Sequence, residues 1–399
     1  MWARKRIDIG WRHLARGVWR CLAPGQVEHH LSAVDSCLRK PNEALVCLSV
    51  RSGFDLWLAA RQFPKGSEIL LTALTLPDMA TIVRTHGLTP VPVDLELSTM
   101  GPDLADLRSK VSEKTRAVVV AHLFGIQLDL DPVADLCQEH DILLVEDCAQ
   151  SFHSPNSWGH PRSDFAMFSF GVIKTMTVGG GGIVQVRDSQ IRAQMDALQA
   201  QYPKQIRSEY SKKLLKLAGF KLLCSRLGFA LLNRFLQLRG GDLDEFIAKI
   251  ARGFPDEELL DQIRRQPCIS MIALLAHRLQ TFDQKSIEAR KSHGEQLQQL
   301  LDATPLDVPG DSAEIHTFWV FPVLADDPGA LIQLLRSNGF DATSQQSLRV
   351  IEPAEDSVPA AKRAREALAK MVYLPAYPEI PISEIQRMAQ VISDLTRDS

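Results

Sequence analysis

The sequence predicts an α/β fold: a large unit with a mainly parallel central sheet covered on both faces, followed by a smaller C-terminal α/β unit. Three observations carry this. From Ala44 to about Val186, short and nearly continuous Val/Ile/Leu runs alternate with helical periods, as in strands buried on both faces and joined by helical crossovers. Two of the apolar runs end in acids, at Asp94 and at Glu146-Asp147. A second, shorter strand and helix series follows a long helical stretch. A chain of 399 residues accommodates one large and one small unit.

Taken in order, Val46–Val50 reads as a strand, Arg51-Ser52-Gly53 as a turn and Phe54–Phe63 as a helix. Glu68–Leu71, Pro90–Val93, Ala117–Ala121 and Ile142–Val145 read as further strands. The intervening helices are Pro77–His86, Leu104–Val111 and Pro132–His140. Ser211–Arg239 is apolar but interrupted by Lys213, Lys216, Lys221, Arg226 and Arg234, which excludes a clean membrane span. It is expected to form a helical insert at about 200–262, either buried or at a subunit contact. Ser270–Leu301 reads as one long helix, Thr317–Val323 as a strand, Gly329–Arg336 and Ala361–Lys370 as helices, and Tyr373–Pro381 as a Pro-rich loop. The last helix is expected to start at a Ser383-x-x-Gln386 capping box. The expected division is a segment of residues 1–24, a large unit of 25–285 and a small unit of 286–399.

Composition narrows the function classes. A net charge of −3 argues against a nucleic-acid binder. The seven cysteines show no CxxC pair and no His/Cys cluster at ligand spacing, so no metal site and a reduced, cytoplasmic setting are expected. No apolar run reaches spanning length. Arg4, Lys5 and Arg6 precede a helical segment with Trp11, Leu14, Val18, Trp19 and Leu22 on one side and Arg12, Arg16 and Arg20 on the other. Two readings of residues 1–24 stay open. One is peripheral contact with the inner face of an anionic membrane; the other is packing against the protein's own body or a partner subunit.

Three features carry chemistry. Ile142-Leu-Leu-Val-Glu-Asp147 is an apolar strand ending in two acids, and ligands of open α/β sheets gather at strand C-terminal ends. An acid there can pair with a protonated ring nitrogen. Phe168-Ser169-Phe-Gly-Val-Ile-Lys174 precedes Gly179–Gly182. A lysine among apolar neighbours, with lowered pKa, suits covalent linkage to a carbonyl. Ser52-Gly53 lies at a strand-to-helix turn, where backbone N–H groups can cup an anion.

Together these resemble fold-type I enzymes dependent on pyridoxal 5′-phosphate (PLP), and within them the nucleotide-sugar aminotransferases of the DegT/StrS type. The resemblance runs over Ala44–Arg187 and from Ser270 onward. It rests on Glu146-Asp147-Cys-Ala-Gln150, Phe168-Ser169-Phe170 with Lys174 and Gly181-Gly182, Ala121-His122-Leu-Phe-Gly125, Val93-Asp94 and Leu374-Pro375-Ala-Tyr377-Pro378. It implies a fold-type I PLP-dependent transferase with a large PLP-binding domain and a small C-terminal domain. Lys174 would hold PLP as an imine and shuttle the proton. Asp147 would hold the pyridine nitrogen, Gln150 would lie near the ring hydroxyl, and Ser169, Ser52 and the Gly53-Phe54 backbone would bind the phosphate. Gln266 would reach the active site of the other chain in a homodimer with shared sites. His122 aligns with a histidine of the family.

The implied reaction moves an amino group from glutamate or glutamine to a nucleotide-linked or lipid-linked ketosugar, as in polysaccharide biosynthesis. An eliminating dehydratase and an inactive scaffold of the same fold are the alternatives. The family's dehydratases carry a histidine at the lysine position, so Lys174 favours transamination. This chain departs from the family pattern at Phe54 (usually threonine), at Thr75-Leu76 (a stacking aromatic), at Gly180 (an acid), at Gln266–Ser270 (an asparagine-arginine motif) and at Thr343–Leu348 (a histidine).

Overall fold

The computed structural model describes residues 1–4, 6–38, 43–156, 158–226, 228–229, 234, 259–344, 347–353 and 359–397. Part of the expected 200–262 insert, residues 227, 230–233 and 235–258, thus lies outside the described residues. A seven-stranded sheet organises the large unit. Its strands are β1 (Ala44–Cys47), β2 (Glu68–Thr72), β3 (Thr89–Val93), β4 (Thr115–Ala121), β5 (Leu143–Asp147), β6 (Phe165–Ser169) and β7 (Gly182–Val186). They lie in the order β1-β7-β6-β5-β4-β2-β3. Every neighbouring pair from β3 to β6 is parallel, while β7 runs antiparallel to both β6 and β1.

The two-residue period of the strands sorts side chains into two cores. Ile69, Leu71, Ala117, Val119 and Val145 join Phe54, Trp57, Ile82 and Val83 on one face. Leu70, Val118, Val120 and Leu144 join Leu107, Val133 and Leu136 on the other. This is why the strands read as continuous apolar runs: both faces are covered. β6 and β7 were not anticipated. Phe165–Ser169 and Gly182–Val186 pair over five positions.

Several boundaries differ from expectation for local reasons. The first crossover helix spans Val50–Arg61, not Phe54–Phe63, because Ser49 caps it by accepting the Ser52 N–H at 3.1 Å. Ser270–Leu301 is two helices, Ile269–Gln280 and Gln284–Leu301. They part at Thr281–Asp283, where Phe282 meets Phe152 edge-on at 5.6 Å. The expected boundary at 285/286 therefore falls just inside the second of these. Thr317–Val323 is not one strand: Phe318 has φ +46°, and pairing resumes only at β8 (Phe321–Leu324). The Pro-rich Tyr373–Pro381 segment begins as a strand, β9 (Met371–Leu374), antiparallel to β8. Ser383 lies inside the last helix, Ile382–Arg397, rather than capping it.

The Trp11–Leu22 helix packs on the chain's own body. Leu14 and Gly17 are buried, and a β-carbon at Gly17 would stand 2.9 Å from Leu214 and 3.0 Å from Leu274. Glycine is what allows this helix to approach the Arg207–Leu223 and Ile269–Gln280 helices. Trp11, Trp19 and Leu22 point outward, at 50%, 61% and 75% exposure, so the apolar face read from the sequence is split between an inner and an outer side. No helix among the described residues is long and apolar enough to cross a membrane.

Candidate active site

The C-terminal ends of β4, β5 and β6 lie side by side and deliver the site. Asp147 is the last residue of β5, in register with Ala121 of β4 and Met167 of β6. It is buried, and one carboxylate oxygen accepts the Ala149 N–H at 3.0 Å. Burial pushes its carboxyl above the ordinary range, opposed by that N–H and by Lys174, His122 and Arg51.

Lys174 stands in a tight turn after β6, its N–H donating to the Gly171 carbonyl at 3.0 Å. Burial lowers its amine to about 8; Asp147 pulls it up and Arg51 pushes it down. The amine therefore shares its electrostatic environment with Asp147. Its Nζ lies 4.4 Å from the centroid of the Trp319 ring, within cation–π range. The Trp319 indole N–H donates to the Ile173 carbonyl at 3.2 Å, so the small unit reaches across to cover the lysine. Sequence reasoning missed Trp319. The signal was an aromatic run, Phe318-Trp319-Val-Phe321, and the left-handed Phe318 disrupts the strand alternation that would have placed it.

The lysine loop is pinned from two other sides that were also missed. Arg290, on the Gln284–Leu301 helix, donates to Thr175 Oγ1 at 3.3 Å and to the Thr317 carbonyl at 2.8 Å. Burial brings its guanidinium down to about 10. Asp8, from the N-terminal arm, accepts the Met176 N–H at 2.7 Å and is paired with Arg278.

The remaining expected residues fall in different places. Ser169 Oγ accepts the Gly171 N–H at 3.4 Å. A β-carbon at Gly171 would stand 3.6 Å from Ser169 Oγ and 3.7 Å from the Lys174 Cγ, so the serine lies beside the lysine stem. Gln150 uses its side-chain oxygen to accept the Phe124 N–H at 2.9 Å. His122 is buried and accepts the Leu128 N–H on Nδ1 at 3.1 Å, which leaves Nε2–H to donate to Glu146 at 3.0 Å. Burial raises Glu146 more than any single neighbour lowers it, but the hydrogen bond and charge of His122, with Ser163 and the His160 N–H, together hold the carboxylate low. His122, Glu146 and Cys148 bring ligand-type atoms within 4.8 Å of one another. The His–Glu hydrogen bond engages two of them, and burial pushes the Cys148 thiol well above its usual range. The trio is a buried hydrogen-bond cluster that steadies β5.

Two expectations need correction. Ser52 and Gly53 lie inside the helix. The Ser52 hydroxyl is 3.0 Å from Ser49 Oγ, and the Gly53 N–H donates to the Ser49 carbonyl at 3.1 Å. Gly53 is small because a β-carbon would stand 2.4 Å from Val184 on β7. The helix N-terminus therefore sits at Val50, four residues earlier than the turn reading placed it. Phe54 is fully buried, stacked on Trp57 at 6.2 Å, and points into the core. Gln266 spends its side-chain amide on the Ala200 and Tyr202 carbonyls, at 3.1 and 2.7 Å.

Residues 33–242 match the profile of the DegT/DnrJ/EryC1/StrS aminotransferase family, which is more than half of the chain. The chain belongs to this family. A GDP-perosamine synthase of Caulobacter vibrioides is 31% identical over 177 residues, 44% of this chain and 47% of that protein. The chain spans about half the length, at most, of the curated relatives it matches. Among solved structures, the aminotransferase TlmJ from Streptoalloteichus hindustanus superimposes with a TM-score of 0.71 at 18% identity, over 99% of this chain and 98% of that one. An E. coli GDP-4-keto-6-deoxy-D-mannose-3-dehydratase with bound hydrated PLP gives 0.70 at 15% identity, over 98% and 99%. These likenesses establish the fold-type I architecture of this DegT/StrS-type chain, with its mainly parallel sheet.

Proposed function

We propose that this chain is a PLP-dependent aminotransferase carrying an amino group from glutamate or glutamine to a nucleotide-linked or lipid-linked ketosugar. The observation that carries the reading is a buried amine, Lys174, electrostatically coupled to a buried carboxylate, Asp147, at the strand ends of a family fold. These residues fit the cofactor. One carboxylate of suitable burial faces a cationic neighbourhood, one amine has a lowered pKa, and a helix N-terminus with Ser169 nearby suits a phosphate. When bound, PLP supplies an aldehyde that links to amines and a pyridinium ring that accepts an electron pair.

The chain's own residues would do the rest. With a pKa of about 8, roughly one Lys174 in ten is neutral at pH 7, so it can act as nucleophile and afterwards take and return a proton. Asp147 would hold a positive charge opposite it. Gln150 would offer its amide N–H2 while its oxygen braces the Phe124 loop. Trp319 would exclude water above the lysine. A homodimer with shared sites belongs to this reading, although Gln266 would have to release its internal carbonyls to serve a second chain. On adding PLP, an absorbance band in the visible should appear, at a rate that climbs as pH rises through about 8. Glutamate should then discharge the band. Loss of water from a deoxysugar nucleotide with no amine transferred to it would favour the dehydratase, and no band at all would favour the scaffold.

We infer as well that the outer side of the Trp11–Leu22 helix meets anionic lipid. It carries Arg12 and Arg16 beside exposed Trp11 and Trp19, and the helix has no acidic residue. Deleting residues 1–24 would also remove Asp8 from the lysine loop, so point variants are the cleaner test. Wild type should float with anionic vesicles and Trp11→Glu/Trp19→Glu should not; equal flotation of the two would remove the idea.

A further inference from the structure

We propose that Lys213 is an anion-binding residue of the active site, anchoring the cofactor phosphate together with the helix N-terminus at Val50 and Arg51. This rests on the PLP reading above. The Arg207–Leu223 helix that bears Lys213 is fixed against the glycine run after the catalytic loop. Tyr210 is fully buried, and its hydroxyl donates to the Val178 carbonyl at 2.7 Å. Leu214 and Leu217 are buried at 3.8 and 3.7 Å from where a β-carbon on Gly179 would be. Lys213 is consequently aimed across Gly180, its Nζ 3.3 Å from the position a β-carbon would take there. A longer side chain at 180 would contest that space, so glycine at this position admits the ammonium.

The same glycine run is seated on the helix that begins at Val50. The Gly181 N–H donates to the Leu48 carbonyl at 2.8 Å, and a β-carbon on Gly182 would lie 2.8 Å from the Val50 nitrogen. Gly180 and Gly182 are two residues apart with Gly181 at φ +91° between them, so the ammonium and the helix end flank a stretch of at most roughly 7 Å of chain. A phosphate accepting a hydrogen bond at each side spans a gap of that order. Three cations, Arg51, Lys174 and Lys213, meet here, and Arg51 acts on both lysines. Against them stand Asp147 and Asp78, the latter paired with Arg51. Lys213 has no hydrogen bond or ion pair among the described residues. Burial, then Arg51, holds its amine below the ordinary lysine range, the behaviour of a cation lacking its counterion. A dianion would supply one. Lys213 would also take the place of the hydroxyl lost where Phe54 stands instead of the family's usual threonine.

The test compares PLP with pyridoxal, which lacks the phosphate, on the full chain. Lys213→Gln should weaken PLP binding about 10- to 100-fold and pyridoxal binding less than twofold, while Lys213→Arg keeps most of the PLP affinity. Inorganic phosphate should compete with PLP on wild type and lose its grip on Lys213→Gln by a similar factor. An unchanged PLP-to-pyridoxal ratio in Lys213→Gln would overturn the assignment. If wild type takes up neither aldehyde, the PLP reading fails, and phosphate titration alone decides on Lys213. Phosphate binding that weakens with Lys213→Gln keeps the anion site; binding indifferent to Lys213, or none, removes it.

Discussion

Lys174→Ala should fold and still admit PLP, but form no borohydride-reducible linkage and lose amino transfer by at least about three orders of magnitude. Folding should survive because the turn is held by backbone: Lys174 N–H to Gly171, the Met176 N–H to Asp8, and the buried Thr177 beside them. Removing a partly buried amine also removes a cation that burial disfavours, so thermal stability should hold or rise slightly. The loss should therefore be chemical. Circular dichroism and a melting curve establish the fold, and single-turnover conversion of glutamate reads the chemistry. Residual transfer within tenfold of wild type would mean that another amine does this work.

Asp147→Asn should have the second largest effect, on the order of 10²- to 10³-fold in amino transfer. The amide keeps the size and can still accept the Ala149 N–H, but it cannot balance a ring cation. A second consequence distinguishes this from simple damage. Asp147 raises the Lys174 pKa. With a neutral amide in its place, that pull disappears, and burial with Arg51 takes the amine below about 8. The pH dependence of PLP uptake should move to lower pH, so uptake at pH 7 becomes faster even as transfer becomes slower. A slower uptake with an unshifted pH profile would place Asp147 outside the lysine's environment.

How far the site was legible depended on whether residues acted through order along the chain or through contacts across it. Asp147, Ser169 and Lys174 could be singled out because strand-end position and local spacing are properties of sequence. The buried strands announced themselves by composition. Trp319, Arg290, Asp8 and Lys213 come from four separate segments and meet the lysine loop only after the small unit, the N-terminal arm and the Arg207–Leu223 helix have packed. Nothing local marks them. β6 and β7 were hidden because glycine and serine at their ends mimic a loop, whereas Gly182 serves close packing, a β-carbon on it lying 2.8 Å from the Val50 nitrogen. Phe54 misled for the opposite reason. Its position in a phosphate-binding motif pointed to the cup, while one helical turn sends its ring to Trp57 in the core.

The most direct measurement is reduction of the PLP-loaded wild-type protein with borohydride, followed by proteolysis and mass spectrometry of the labelled peptide. The pyridoxyl label should sit on Lys174 at about one per chain, and prior treatment with glutamate should abolish it. A label on Lys213 or any other lysine, or no label in protein that has taken up PLP, would contradict the assignment of Lys174 as the reactive amine.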